Sequence, residues 1–289
     1  MFYTIEELVQ QADRDYQGNI AELMIATETE LTGRERPEIL SLMTRNLEVM
    51  KDSVQAGLSL EKSPTGLTGG DAAKLDTYIK RGKTLADSAV LGAARNAMAV
   101  NESNAKMGLV CATPTAGSAG CLPAVLTTAI EKLGLSQSQQ LDFLFTAGAF
   151  GLVIANNASI SGAEGGCQAE VGSASAMAAA AITMAAGGTP FQASQAICFV
   201  LKNMLGLICD PVAGLVEVPC VKRNAMGASF ALVAADMALA GITSAIPVDQ
   251  VVDAMYQVGS AMPTAFRETA EGGLAATPKG KALAKEIFG

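Results

Sequence analysis

The chain of 289 residues contains no histidine and no tryptophan, and only 4 % of it is aromatic. The missing histidine removes the side chain that most often serves as a general base near neutral pH, so proton transfer falls to Lys, Asp, Glu, a hydroxyl or another chain. It also weakens the case for a structural zinc, which wants four close Cys or His ligands. Large aromatics are scarce in a sequence that is 50 % hydrophobic, which leaves the interior to Ala, Leu, Val, Ile and Met. Small side chains let helices approach closely, and such a core reads as helical. No block of Lys or Arg is present and the formal net charge is -8, which speaks against nucleic acid or an anionic membrane as partner. The stretch MFYTIEELVQQADRDY has neither the cationic start nor the apolar run of a signal peptide, so a cytoplasmic protein is expected. In that compartment the six cysteines are thiols or metal ligands rather than disulfides. The Ala-rich runs 173–188 and 225–246 approach spanning length, but the first is short and Asp236 interrupts the second, so both read as buried soluble helices.

What is present is a succession of helix signals. Thr4 with Glu7 forms a capping box ahead of the stripe Ile5, Leu8, Val9 and Ala12. The next helix follows Pro37, carries Ile39, Met43, Leu47, Met50 and Val54 on one face, and stops at Gly57. After the turn EKSPTGLTGGD (61–71), Asp71 is expected to cap a helix that runs to about Val100 with an interruption near Gly82. The segment 107–126 begins as a short apolar strand or extended piece, turns through Thr113–Gly120, and enters a helix at Pro123 that ends at Gly134. Ser136 with Gln139 opens a helix to about Ala155, and Thr189, Pro190 and Gln192 open another in which Cys198 reads as core. Pro247 marks a further start, and in the C-terminal stretch Arg267 and the pair Gly272–Gly273 stand out. No repeat or linker interrupts the pattern, so the fold expected is mainly α: one large helical domain over 1–289 whose site is formed by loops between helices.

Three cysteines sit in loops marked by glycine or proline: Cys167 in SGAEGGCQAEVGS, and Cys209 and Cys220 in CDPVAGLVEVPCVKRNA. Thiolates are soft ligands suited to iron-sulfur clusters or zinc, and such loops let backbone approach an inorganic core. With 41 residues between the first pair and 10 between the second, the spacing fits no compact Cys-x-x-Cys pattern. Composition alone favours three small buried thiols. Two turns, 61–71 and 113–120, place hydroxyls and orphan amides at helix starts, where the dipole favours an anion such as a carboxylate; a plain capped turn is the competing reading of each. The second is not a phosphate-binding Walker loop, since the Gly-Lys-Ser/Thr ending is missing. Arg223, just past Cys220, has the planar fork that fits a carboxylate.

Five segments in order, GLTGGDAAK (66–74), ATPTAGSAGCLPAVL (112–126), SGAEGGCQAEVGSASAMAAA (161–180), CDPVAGLVEVPCVKRNA (209–225) and MPTAFRETAEGGLAATPKGK (262–281), carry a resemblance that covers nearly the whole chain. The sequence resembles the alpha subunit of bacterial two-subunit, iron-sulfur-dependent L-serine dehydratases. The resemblance implies that Cys167, Cys209 and Cys220 ligate a [4Fe-4S] cluster whose remaining iron acts as a Lewis acid on L-serine, giving pyruvate and ammonia in amino-acid catabolism and gluconeogenesis. Together with the turn chemistry it assigns substrate contacts to Thr68, Gly69, Gly70, Asp71, Thr113, Thr115, Gly117, Ser118, Asn156, Ser161 and Arg223. The general base is unassigned. Single-chain relatives of the family fuse this region to a domain that two-subunit members carry as a separate beta subunit, so a heterodimer or larger oligomer is implied. Some of those relatives end in a cysteine that resembles a plug for the open iron; this chain ends AKEIFG, so the position is expected to stay open to substrate, and Cys121 is the residue that would overturn this by folding in as a fourth thiolate.

Other chemistries compete. Pyridoxal phosphate would need a Schiff-base lysine and a phosphate loop, and Lys106, the lysine near a suggestive turn, is followed by no glycine run. An L-cysteine desulfidase-like β-elimination differs in leaving group rather than scaffold, and a non-catalytic helical protein with a structural metal is the third alternative.

Overall fold

The computed structural model describes residues 2–289. Thirteen α-helical segments follow one another: α1 (Ile5–Tyr16), α2 (Ile20–Thr32), α3 (Arg36–Gly57), α4 (Asp71–Lys80), α5 (Ser88–Ala105), α6 (Cys121–Leu133), α7 (Gln137–Asn157), α8 (Gly162–Cys167), α9 (Ser173–Ala185), α10 (Pro190–Met204), α11 (Cys220–Leu239), α12 (Val248–Ala261) and α13 (Pro278–Phe288). A π-turn, Gln168–Gly172, joins α8 to α9. The fold is mainly α, as the composition required. The β-type contact among the described residues is an isolated parallel bridge between Cys209 and Arg267.

The three capping boxes form as the sequence dictates, with Thr4 accepting from Glu7 N, Ser136 from Gln139 N and Thr189 from Gln192 N. Each satisfies two amides that helix geometry leaves orphaned. Other boundaries differ. Asp71 is the first residue of α4 rather than its cap; Gly70 holds the cap position in a left-handed conformation, and the amides of both are met from elsewhere. Residues 107–120 form no strand, and α6 starts at Cys121 with Pro123 inside its first turn. The helix after Pro37, by contrast, ends at Gly57 as expected. Three helices lie outside the sequence reading, the short α8 among them. α2 is capped by Asn19 but buries Ile20, Ala21, Leu23, Ile25 and Thr27, a set too broad for one clean stripe, and α13 begins at a Thr277 cap.

α9 is the centre of the packing. Its residues from Ser173 to Thr183 are all buried, and α6, α7, α10 and α11 pack around it. Alanine on most of these positions shortens the distance between helix axes, and a larger side chain there would cost about 1–3 kcal/mol in displaced neighbours. α3 and α5 approach closely at Gly57, where a Cβ would stand 1.8 Å from Ala99 O. Among the described residues no single helix is long and apolar enough to cross a membrane; α7 with α8–α9 reaches that character only as a pair bent by 70°. The N-terminal end of α9 carries a small separate cluster of buried residues, Cys121, Cys167, Val171, Ala174 and Cys209, and it is there that the cysteine loops meet.

Candidate metal centre

The loop after α7 is partly helical. Ser161 accepts from Ala163 N and starts α8, which breaks at Gly166 with φ 75°. A side chain at Gly166 would strike Met262 and Leu207 O, so glycine is required both by conformation and by space. The chain then enters the π-turn, pinned by Gln168, whose Oε1 accepts from Gly206 N at 2.9 Å and whose Nε2 donates to Met255 O at 2.8 Å. The Cys209 strand is fixed from both sides: its N–H donates to Phe266 O and its carbonyl accepts from Glu268 N, each at 2.8 Å.

These constraints bring Cys167 Sγ, Cys209 Sγ and a Glu170 carboxylate oxygen within 4.8 Å of one another, all buried. A Cβ on Gly162 would stand 3.0 Å from Cys209 Sγ and 3.1 Å from Oε2 of both Glu170 and Glu268. Glycine thus leaves open a cradle on which one sulfur and two carboxylates converge. Cys220, the first residue of α11, is buried but stands outside the 4.8 Å group.

The electrostatics suit a cation. The Cys167 thiol is held below its ordinary value because Cys209 S–H and the Arg223 guanidinium donate to it, against the effect of burial. Cys209 is pushed up by sharing its proton with Cys167 and by burial, and Cys220 by burial. Glu170 is raised by burial, opposed by a hydrogen bond from the Thr115 hydroxyl. Two of the three thiols are therefore held above their ordinary value, an effect that a nearby positive charge opposes. A soft metal supplies that charge, and the donor set of sulfur with supporting carboxylate fits it.

The sequence-assigned residues fall into distinct places. In the 113–120 turn, Thr115 Oγ1 donates to Glu170 Oε1 and lies 3.0 Å from Ser118 Oγ. A Cβ on Gly117 would meet Glu170 Oε1 at 2.4 Å, and Thr113 Oγ1 turns away to Cys111 O. This turn borders the centre. In the 61–71 turn, Thr68 is buried, and Gly69 lies where a side chain would strike Glu61 O at 2.2 Å. The amides of Gly70 and Asp71, expected to be open to an anion, donate to Glu102 at 3.0 and 2.8 Å, so the chain's own carboxylate occupies that helix start. Asp71 pairs with Lys222 at 2.5 Å and Lys74 at 2.9 Å. The fork of Arg223 is likewise engaged: Nη1 donates to Cys167 Sγ at 3.4 Å and Ile208 O at 2.8 Å, and Nη2 lies 2.8 Å from Asp210. Its contact with Cys167 helps hold that thiol below its ordinary value. Ser161 caps α8 next to the Gly162 cradle, whereas Asn156 is exposed on the last turn of α7 and is not brought to the centre. Arg267 donates to Ser260 O and lines a separate cleft of about 440 Å³.

Glu170, Glu268 and Asn224 belong to the site without having been assigned to it from the sequence. Glu170 had a signal, since three residues after Cys167 is the same helical face. Asn224 spans the turn and α11, donating to Gly117 O at 2.7 Å and accepting from Gly120 N at 3.1 Å. Cys121 Sγ faces Asn224 Oδ1 at 3.4 Å and Ser175 Oγ at 3.6 Å, and burial pushes its thiol up to about 12.

The profile described as serine dehydratase alpha chain fits residues 15–275. The chain is 61 % identical over 289 residues to a probable L-serine dehydratase alpha chain of Bacillus subtilis, covering 100 % of this chain and 96 % of that one. It is 40 % identical over 270 residues to the L-serine dehydratase alpha chain of Peptoniphilus asaccharolyticus, covering 93 % and 92 %. With the L-serine dehydratase TdcG of Escherichia coli it shares 36 % identity over 287 residues, 95 % of this chain but 61 % of the longer protein. The cysteine loops, the turn that borders them and the helices that hold both lie inside the matched span, and the chain belongs to the serine dehydratase alpha chain family.

Proposed function

We propose that this chain is a lyase subunit that converts L-serine to pyruvate and ammonia in the cytoplasm, with a [4Fe-4S] cluster held by Cys167, Cys209 and Cys220. The observation that carries the reading is the convergence of Cys167, Cys209 and Glu170 beside the hydroxyl-rich turn 113–120, in a chain of this family. Serine must lose its Cα proton and its β-hydroxyl as water; the aminoacrylate left tautomerises and takes up water to give pyruvate and ammonia. When bound, such a cluster supplies Lewis-acid stabilisation for the departing hydroxyl without redox change.

The chain's own residues do the rest. Arg223 helps hold the Cys167 thiol below its ordinary value, the direction that favours a metal ligand, and Asp210 holds the guanidinium in place. The Thr115 hydroxyl fixes Glu170 Oε1, and Asn224 fixes the turn that carries Thr115 to α11. Ser118 and Thr68 are the hydroxyls proposed to meet the substrate's carboxylate. No histidine is present to take the Cα proton, and Glu170, raised by burial, is the oxygen in the centre able to hold one. A second chain completes the enzyme in this reading, corresponding to the part of TdcG that the alignment leaves uncovered.

The test is anaerobic purification followed by iron and sulfide analysis and turnover of L-serine, L-cysteine and L-threonine, with and without the beta chain. About four iron and four sulfide per chain and a preference for serine are expected, with Cys167→Ala, Cys209→Ala and Cys220→Ala each losing the iron and Cys198→Ala keeping it. Zinc in place of iron, or full iron in all three variants, overturns the reading.

A further inference from the structure

Glu217 lies in the stretch joining Cys209 to Cys220, is buried, and uses both carboxylate oxygens on a loop far earlier in the chain. Ser63 Oγ donates to Oε2 at 2.6 Å and Thr65 Oγ1 to Oε1 at 2.7 Å. No lysine or arginine pairs with it among the described residues. A buried carboxylate held by neutral hydroxyls adds little net stability, because its desolvation offsets the bonds it makes. Its effect is on direction. A carboxylate only accepts, so both hydroxyl hydrogens point at Glu217 and the oxygen lone pairs face back into the loop. There Thr65 Oγ1 accepts from Leu67 N at 3.2 Å and Ser63 Oγ from Thr68 N at 3.4 Å, while Ser63 N donates to Thr68 O at 3.0 Å. One side chain thereby orients the turn 63–68. The polar atom of this turn left without a partner is Thr68 Oγ1, which is buried. Beyond it, Glu102 closes the loop at Gly70 and Asp71, and Asp71 ties it to Lys222, two residues past Cys220.

We propose that Glu217 is a positioning residue for substrate: it fixes the 63–68 turn to the cysteine segment so that the Thr68 hydroxyl is held ready to donate to the substrate's carboxylate. This rests on the reading of that turn as part of the serine site. The cysteine segment thus sets the metal ligands and the substrate donor in one frame.

The experiment compares Glu217→Ala, Glu217→Gln and the double variant Ser63→Ala with Thr65→Ala in the reconstituted two-chain enzyme, measuring iron content, KM and kcat for L-serine, and amide hydrogen exchange of residues 63–70. Glu217→Ala should raise KM about tenfold, the size of one lost hydrogen bond to a charged group, with a smaller change in kcat, unchanged iron and faster exchange at Leu67 and Thr68. Glu217→Gln, which keeps one acceptor oxygen at the same reach, should restore KM to within about threefold of the natural protein. The double variant breaks the same link from the other side, and it too should raise KM and speed exchange at Leu67 and Thr68, a second reading where Glu217→Ala folds poorly. Unchanged exchange at Leu67 and Thr68, faster exchange with an unchanged KM, or iron loss as the main effect each overturns the proposal. If the natural protein neither holds iron nor turns over serine, the functional reading fails instead, and exchange in the metal-free chain still reports whether Glu217 orders the turn.

Discussion

Gly162→Ala tests the metal centre with a single methyl. Gly162 is the first residue of α8 and is not left-handed, so alanine suits its backbone and would by itself stabilise the fold by about 0.4–1 kcal/mol. The added carbon, however, would lie 3.0 Å from Cys209 Sγ and 3.1 Å from Oε2 of Glu170 and of Glu268. Ordinary contacts to carbon are about 3.5–4.0 Å, so each neighbour must give by a few tenths of an ångström. Metal-ligand distances tolerate only about 0.2 Å, and a displacement of a few tenths reaches or passes that. Iron affinity should fall about 10- to 100-fold, the range seen when groups supporting a metal's ligands are disturbed. The assay is iron and sulfide content after anaerobic reconstitution at graded iron, alongside thermal unfolding of the metal-free chain. Gly148→Ala, at an α7 position with nothing within 4 Å, is the matched control and should keep full iron. Full iron in Gly162→Ala, or iron loss accompanied by a lower unfolding temperature, would refute the reasoning.

Three further outcomes follow from the structure. Cys121 is engaged by Asn224 and Ser175, so Cys121→Ala should leave both iron content and the rate of bleaching in air unchanged, while L-serine slows bleaching in both proteins. Gly57→Ala drives a methyl into the backbone of Ala99, which cannot move aside as a side chain can; a loss of about 3 kcal/mol is expected, read as a lower midpoint in urea. Burial alone would raise the Asp71 carboxyl, but hydrogen bonds from Lys222 and Lys74 outweigh it and hold it at about 2. A depressed folded-state value contributes stability that is present above the unfolded value of about 3.9 and is lost as pH falls towards the folded one. Asp71→Asn should therefore cost up to about 1 kcal/mol in urea unfolding at neutral pH, with the difference shrinking below about pH 4.

The sequence by itself determined the features that depend on residues within a turn or two of one another. The capping boxes at Thr4, Ser136 and Thr189 form because donor and acceptor are three residues apart, and α7 and α10 start where those pairs say. Cys198 is buried in the middle of an apolar helix, as its neighbours require, and the small-residue run at 173–185 becomes the central helix because nothing but close packing suits so many alanines. α2 escaped the reading because its buried positions do not follow a single stripe, and the π-turn after Cys167 because one extra residue per turn leaves no mark in composition. The tertiary structure alone decided which charges meet. Arg223 has the fork for a substrate carboxylate, yet folding places Asp210 and Cys167 against it; the amides at Gly70 and Asp71 suit an anion, yet folding supplies Glu102. Glu268 reaches the Gly162 cradle only because the Cys209 strand bridges to a segment more than fifty residues later. Local hydrogen bonds are fixed by backbone geometry and can be read along the chain, whereas a partner across the chain is set by how the helices pack, and several residues of one chemistry compete equally for it until they do.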